Sequence, residues 1–341
     1  MTTNPGGTLS LSPRPTAPIV LDSDPGIDDA VALQYLLGTG LWDLKAYTTV
    51  GGNVPAEQTY RNGRALARAF GIDADVPVHR GAGRPLTRLP YSAAGEFHGD
   101  AGLGDVRLPD STAAEQTESS AQALLRLSRE YEGELTVCAT GPLTNVALAL
   151  TEDPGFAARV KRLVFMGGAA EVPGNITPVA EFNVWADPDA VDLVVSSGIT
   201  YTMVGLDATH GWRFGTEELA TLEAAGDGMA LSARLMRFYL HAYQEANGSP
   251  LHDPLAVGVC ADESFVTAAD GTVVVECASE LTRGKTVFIP YDADYPRAYY
   301  QESPLVSART AHRGRVAVGT GPRNFTEDFV NTILKQPATG V

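Results

Sequence analysis

The chain is poor in cysteine and in positive charge, and it has no long apolar run. Three cysteines in 341 residues, Cys138, Cys260 and Cys277, each lie in an apolar stretch with no CxxC spacing. That pattern argues against a disulfide frame or a thiolate zinc site and leaves buried thiols in a reducing compartment. Twenty-five basic residues against 41 acidic ones give a formal net charge of −16. Nucleic-acid backbones and anionic membranes are met by basic surface, so neither is the expected partner, and a cation or a neutral small molecule fits better. No apolar run approaches the roughly 20 residues of a membrane span. Residues 1–17 are rich in Thr, Pro, Ser and Gly, carry one charge at Arg14, and contain no apolar signal core. A disordered tail ahead of residues 18–341 and a cytoplasmic location are expected. HExxH, GxSxG, a Walker loop and GxGxxG behind a strand are all missing, and Gly319-Thr320-Gly321 is too short and late to count. Without a cofactor fingerprint, hydrolysis with a metal-held water is the chemistry left standing.

What the chain does have is alternation. Short β-branched runs at Ile19–Asp22, Leu44–Val50, Val76–His79, Leu135–Ala139, Arg162–Met166 and Thr200–Gly205 predict strands. Amphipathic segments at Asp28–Leu37, Ala56–Phe70, Ser119–Tyr131, Leu143–Leu150 and Pro188–Ser196 predict the helices between them. This order reads as βαβ units: a single-domain α/β protein with an open, mostly parallel sheet flanked by helices. Residues 81–111 are weakly periodic and predict a loop region near the site, with the character of a lid. A long helix at Met229–Glu245 leads to His252-Asp253-Pro254-Leu255, which opens another. Strands near Phe265–Ala268, Val273–Ala278 and Arg315–Val318 and a helix at Thr326–Lys335 close the chain. No linker or internal repeat divides it.

The segment Asp22-Ser23-Asp24-Pro25-Gly26-Ile27-Asp28-Asp29-Ala30 puts four aspartates into eight positions where a buried strand turns into a helix. Open α/β proteins keep their sites at this edge of the sheet. Helix capping accounts for one or two of the aspartates, not four. Carboxylates so crowded repel unless neutralised, and a hard divalent cation with oxygen ligands does that. Other strand ends carry polar turns. Thr49-Val50-Gly51-Gly52-Asn53 is a tight turn or a site. In Ala139-Thr140-Gly141-Pro142-Leu143-Thr144-Asn145 the Thr140 carbonyl reaches the same edge as Asp24. Glu181 and Asn183 alternate, so on an extended segment both face one side, a spacing suited to vicinal hydroxyls. His252-Asp253 supplies a distant carboxylate and an acid that would titrate near neutral pH.

Taken together these residues resemble the nucleoside hydrolases of the inosine–uridine type, which cleave the N-glycosidic bond of ribonucleosides. The resemblance runs from about Ile19 to the C-terminal helix. Its hallmark is the aspartate run. It continues through Thr49–Asn53, His98-Gly99, Gly102-Leu103-Gly104, Gly141–Asn145, Phe165–Gly168, Gly174-Asn175, Glu181-Phe182-Asn183 and His252–Leu255 in the family's order. The resemblance implies a Rossmann-like sheet and calcium held by Asp24, Asp29, Asp253 and the Thr140 carbonyl. It implies Asp24 as general base and His252 as acid for the leaving base. Asp28, Asn53, Asn175, Glu181 and Asn183 match sugar-binding positions, Met166 packs beside the ribose, and His98 lies on a mobile loop over the base. It further implies a homodimer or homotetramer acting on a small ribonucleoside.

Purine-specific relatives carry an aromatic residue where this chain has His252, which points to the inosine–uridine branch. Tyr239 and Tyr243, one helical turn apart, either contact the base or pack in the core. Ala208 stands where a β-branched residue is usual, and Phe288-Ile289-Pro290 replaces expected polar residues, so the local C-terminal loop departs from the family. Three other readings stay open: a hydrolase of another N-riboside such as a nicotinamide or cytokinin riboside, a calcium-stabilised nucleoside-binding protein, and a phosphorylase. Lack of a basic phosphate cradle weighs against the last.

Overall fold

The apolar runs that alternate along the chain become strands buried on both faces, the pattern of a parallel sheet covered by helices. A computed structural model describes residues 17–87, 95–243, 247–291 and 314–336. The strands are β1 (Ala17–Ser23), β2 (Trp42–Thr49), β3 (Val78–His79), β4 (Thr136–Ala139), β5 (Arg162–Met166), β6 (Tyr201–Val204), β7 (Arg213–Phe214), β8 (Ser249–Pro250), β9 (Val266–Val275), β10 (Thr286–Pro290) and β11 (Gly314–Thr320). Among the described residues, nine form one sheet in the order β10-β9-β11-β6-β5-β4-β1-β2-β3, and β7 and β8 make a small separate antiparallel pair. From β3 to β11 the neighbours are parallel, while β9 runs antiparallel to β11 and β10 antiparallel to β9.

Side chains alternate between two cores. Ile19, Leu21, Cys138 and Val164 face the layer of helices Ile27–Thr39, Ala230–Tyr243, His252–Ala261 and Phe325–Leu334. Val20, Val137, Leu163 and Phe165 face the helices Ser120–Glu130, Thr144–Glu152 and Pro188–Val195. Two of the predicted helices start at a side-chain cap. Ser119 accepts a bond from Gln122 N–H, and Asp187 from Ala190 N–H ahead of Pro188. The chain proceeds outward from β1 to β2 and β3, then returns to place β4 on the other side of β1. The switch in direction therefore falls between β1 and β4, and the crevice beyond their C-terminal ends is where such sheets bind ligands.

The C-terminal third differs from the sequence expectation. The strands expected near Phe265–Ala268 and Val273–Ala278 are one ten-residue strand, β9, bonded to β11 on one side and β10 on the other. Gly271 is there because Phe288 and the Ile289 carbonyl approach it closely, which leaves no room for a Cβ. The departing Phe288-Ile289-Pro290 segment belongs to an edge strand, where proline is tolerated. The expected tail, at residues 1–16, and the segment 88–94 of the expected lid lie outside the described residues; Ala17 opens β1. No helix of the described residues is long and apolar enough to cross a membrane.

Candidate active site

Every strand from β1 to β6, apart from β3, sends the residues that follow it to one rim, and there they enclose a cavity of about 830 Å³. Asp24, Asp28, Asn53, His98, Thr140, Met166, Asn175, Glu181, Asn183, Tyr239, Tyr243, His252 and Asp253 all line it. Asp29 lies just behind the wall. Thus positions up to 229 residues apart in sequence, Asp24 and Asp253, share one chamber.

The aspartate run divides its labour. Asp22 points away from the cavity and accepts hydrogen bonds from Thr48 Oγ1 (2.7 Å) and Asn145 Nδ2 (2.8 Å), tying β1 to β2 and to the turn after β4. Burial raises its carboxyl from 3.8 to about 6. One of the four expected cluster members is therefore a structural staple. Asp24 follows β1, with Oδ2 accepting from Asn53 N–H at 2.7 Å and Oδ1 buried without a hydrogen-bond partner. Gly52 and Gly141 leave space around it: a Cβ at Gly141 would stand 2.6 Å from Oδ1, and one at Gly52 would overlap Oδ2. Asp28 and Asp29 occupy the first turn of the helix Ile27–Thr39, where the macrodipole favours anions. Asp28 Oδ2 accepts from Tyr239 O–H (2.9 Å), and its Oδ1 has no hydrogen-bond partner. Asp29 accepts four bonds, from Ser23 Oγ (2.7 Å), Thr140 Oγ1 (2.8 Å), Gly26 N (2.9 Å) and Asn53 Nδ2 (3.0 Å). Asp253 stands in the first turn of the helix His252–Ala261.

Burial and mutual repulsion hold Asp24 and Asp253 well above the ordinary carboxylate range, and burial raises Asp28 although His98 partly offsets it. Among the described residues lining the cavity, none is Lys or Arg. Oxygens of Asp28, Asp29 and Asp253 lie within 4.8 Å of one another. Unpartnered carboxylate oxygens, no cationic side chain and a backbone carbonyl at Thr140 together fit a hard divalent cation.

Glu181 and Asn183 reach the cavity by a different route from the one expected. They do not alternate on an extended segment. Glu181 is the N-cap of the helix Phe182–Ala186, accepting from Asn183 N (2.9 Å) and Val184 N (3.2 Å), and it also accepts from Gly168 N (3.0 Å). Its desolvation pushes the carboxyl up to about 7. Asn183 Nδ2 donates to the Thr140 carbonyl (2.7 Å) and sits 3.5 Å from Met166 Sδ. Asn175 Oδ1 accepts from Phe182 N, bracing the loop that carries it.

The opposite wall is aromatic. Tyr243 packs 5.0 Å from Phe97 and 4.9 Å from Tyr239, centroid to centroid. His98, at the end of the short helix Gly95–His98, is buried and accepts Ile27 N–H through Nδ1 (3.1 Å). His252 bonds through Nδ1 to Thr209 Oγ1 (2.8 Å) and through Nε2 to Tyr243 O–H (3.1 Å). Burial, helped by His210, Arg213 and His98, pushes its imidazole down to about 3. Burial thus favours the uncharged ring. Phe97, Phe182, Trp185 and His210 also line the cavity, and Thr209 is a partner of His252, none of which the sequence pattern singles out. Thr209-His210 follows a strand end, as the recognised turns do, and that was the available signal.

Known proteins can now be set beside this geometry. The family model described as inosine-uridine preferring nucleoside hydrolase matches residues 19–321. The pyrimidine-specific ribonucleoside hydrolase RihA of Escherichia coli K12 is 37% identical over 275 residues, 79% of this chain and 88% of that protein. A purine-preferring ribonucleoside hydrolase from Gardnerella vaginalis is 31% identical, with a TM-score of 0.83 over 93% of this chain and 98% of the other. A plant nucleoside hydrolase is 29% identical, with a TM-score of 0.87 over 94% of this chain and all of the other.

Proposed function

The chain belongs to the inosine–uridine preferring nucleoside hydrolase family and is a nucleoside N-ribohydrolase; from that premise we propose that it is calcium-dependent, cleaving inosine- and uridine-type nucleosides to ribose and free base in nucleoside salvage. The observation that carries the metal reading is the trio Asp28, Asp29 and Asp253 beside the unpartnered oxygen of Asp24, in a wall without Lys or Arg. Asp24, Asp29, Asp253 and the Thr140 carbonyl would hold the ion, with Asp28 adjoining. Calcium bound there supplies positive charge that acidifies water and favours a vicinal diol.

The chain's own residues do the rest. Asn53 N–H fixes Asp24 Oδ2, which leaves Oδ1 as the base for a water proton. Asp28, Asn53, Asn175, Glu181 and Asn183 bind the sugar hydroxyls, and Met166 packs beside the ribose. Departure of the base leaves positive charge on the ribosyl ring, and the same carboxylates stabilise it as it develops. Tyr239 and Tyr243 face the base with His98 and His252, and His252 is the acid for the leaving base. Phe97, Phe182 and Trp185 also line the cavity and favour, as a second reading, a riboside with a different base, of the nicotinamide or cytokinin kind. We also take the protein as a cytoplasmic homodimer or homotetramer, which light scattering of the purified protein tests.

The test is release of free base and ribose from inosine, adenosine, uridine, cytidine and nicotinamide riboside in phosphate-free buffer, with calcium and with a chelator, for the parent and Asp24→Asn. Ribose release that needs calcium and disappears in the variant is expected, and the ranking of bases assigns the substrate. Calcium-independent turnover sinks the metal reading.

A further inference from the structure

His98 closes the short helix Gly95–His98, and the chain behind it folds into an arch that ends at Val106. Gly102 N–H donates to the Gly99 carbonyl (3.0 Å), Gly104 N–H to the His98 carbonyl (2.8 Å) and Val106 N–H to the Leu103 carbonyl (3.0 Å). Leu103 and Val106 are buried and root the arch in the core. The arch is thus braced internally. What remains to be set is where it stands against the cavity, and with it the His98 ring.

Asn62 reaches the arch from outside the cavity wall. It is buried on the helix Ala56–Ala69, and its amide nitrogen donates to the Pro25 carbonyl (3.0 Å) and to the Ala101 carbonyl (2.8 Å). Its Oδ1 accepts from Gln58 Nε2, one helical turn back (2.8 Å). Backbone carbonyls only accept, so the amide has a single orientation, with nitrogen toward the two carbonyls and oxygen toward Gln58. Pro25 follows Asp24 and Ala101 lies in the arch. One side chain therefore ties the turn that carries Asp24 to the segment that carries His98. Gly102 rests directly on it: φ is 86° and a Cβ there would stand 2.8 Å from Asn62 Nδ2. The Asp24 turn has other supports, from Asn53 N–H to Asp24 Oδ2 (2.7 Å) and from Gly26 N–H to Asp29 Oδ2 (2.9 Å). Without the amide, the side that gives is the arch.

We propose that Asn62 is a positioning residue: its amide clamps the Ala101 carbonyl to the Pro25 carbonyl and so fixes the His98 arch at the base side of the cavity. This rests on the ribohydrolase reading above, in which His98 faces the base, and names what holds that side in place.

The experiment is a double-mutant cycle in calcium on uridine and inosine, with the parent, Asn62→Leu, His98→Ala and the two together. Asn62→Leu keeps the size and removes both donors. A displacement of about 1 Å can cost about 100-fold, so kcat/KM is expected to fall about 10- to 100-fold. In the His98→Ala background the same substitution should add no more than about 3-fold, because nothing is left to position. Ribose, which has no base, should inhibit Asn62→Leu and the parent alike within about 2-fold. Arg64→Met separates positioning from loosening: Arg64 lies on the same helix and donates to the Ser111 and Ala113 carbonyls beyond the arch, so its loss should leave kcat/KM within about 2-fold. Gly102→Ala pushes the arch off the amide from the other side and carries the same cycle should Asn62→Leu not fold. Independently of turnover, the nitrogen-15 resonances of the His98 ring, assigned by their loss in His98→Ala, should move in Asn62→Leu and Gly102→Ala and stay in place in Arg64→Met. Undiminished turnover in Asn62→Leu, losses that multiply in the double variant, an equal loss in Arg64→Met, ribose inhibition that falls with turnover, or unmoved His98 resonances overturn the proposal. A parent that cleaves no riboside overturns the ribohydrolase reading instead, and the spectra still decide whether Asn62 places His98.

Discussion

Asp29 offers a way to separate what holds the site together from what the site does. Its carboxylate accepts two pairs of bonds of different kinds. Oδ1 accepts from the hydroxyls of Ser23 and Thr140, and Oδ2 from the N–H groups of Gly26 and Asn53. Hydroxyls can reverse their role and N–H groups cannot. In Asp29→Asn the amide oxygen therefore takes the Oδ2 place and the amide nitrogen donates to Ser23 and Thr140, so the network survives. In Asp29→Ala the Gly26 N–H and one Asn53 hydrogen are left buried and unpaired, at about 1–3 kcal/mol each. Asp29→Ala should thus lose about 2–6 kcal/mol in chelator, a large part of the 5–15 kcal/mol of a typical domain. Asp29→Asn should stay within about 1 kcal/mol, helped by removing a charge that repels Asp24 and Asp253.

Urea unfolding in chelator and in calcium at 100 times its dissociation constant measures both effects. The parent should gain about 2.7 kcal/mol from calcium and Asp29→Asn much less. Turnover of Asp29→Asn should fall at least about 100-fold while its fold persists. If Asp29→Asn keeps the calcium gain and the turnover, Asp29 is no ligand. If Asp29→Ala unfolds at the parent's midpoint, the hydrogen-bond reasoning is wrong.

Asp22 makes a pH prediction: its carboxyl ionises at about 6 when folded against 3.8 unfolded, so its burial penalty is absent below about pH 4, grows as pH rises and is complete above about 6, near 3 kcal/mol in all. Denaturation of the parent and Asp22→Asn from pH 4 to 8 should show the variant gaining on the parent as pH rises, and parallel curves would count against it. Gly141→Ala puts a Cβ 2.6 Å from Asp24 Oδ1 and 2.9 Å from Val50 Cγ1, so kcat/KM should drop about 10- to 100-fold with a stability loss of about 1–3 kcal/mol; kinetics at the parent's value would show that Asp24 tolerates displacement. For 2′-deoxyuridine, kcat/KM should be at least about 100-fold below uridine, because polar groups set for a hydroxyl are left unpaired, and equal rates would remove the diol from the reading.

The parallel half of the fold was legible because its strands are continuous apolar runs with helical periods between them. The rim was legible because glycines, amides and carboxylates at strand ends have no use in a core. Legibility failed where pairing at long range decided the outcome. Asp270-Gly271 looks like a turn, yet β10 and β11 bond to both sides and carry the strand through it. Glu181 and Asn183 look like an extended pair, yet Glu181 caps three N–H groups and starts a helix. Thr209 ends a strand–helix turn as the recognised residues do, but its contact with His252, 43 positions away, is not legible in sequence.

Asp29 shows why residue type alone left the aspartate run ambiguous. Capping and metal ligation are alternatives on paper, but a carboxylate has about four acceptor positions. Here one oxygen caps the helix through Gly26 N–H and receives Asn53, while the other meets two hydroxyls that can turn away. Within the cavity wall the unpartnered oxygens belong instead to Asp24 and Asp28, while Asp22, which points away from it, leaves Oδ2 unpartnered as well. If Asp29 holds the proposed cation, the oxygen free to do so is Oδ1, with Ser23 and Thr140 reoriented, whereas Asp24 and Asp28 offer oxygens with no hydrogen bond to displace. On that reading the affinity of the site would depend on how easily two hydroxyls rotate. Removing the Ser23 hydroxyl should tighten cation binding even as it loosens the empty protein, the opposite of what a purely structural hydroxyl would do.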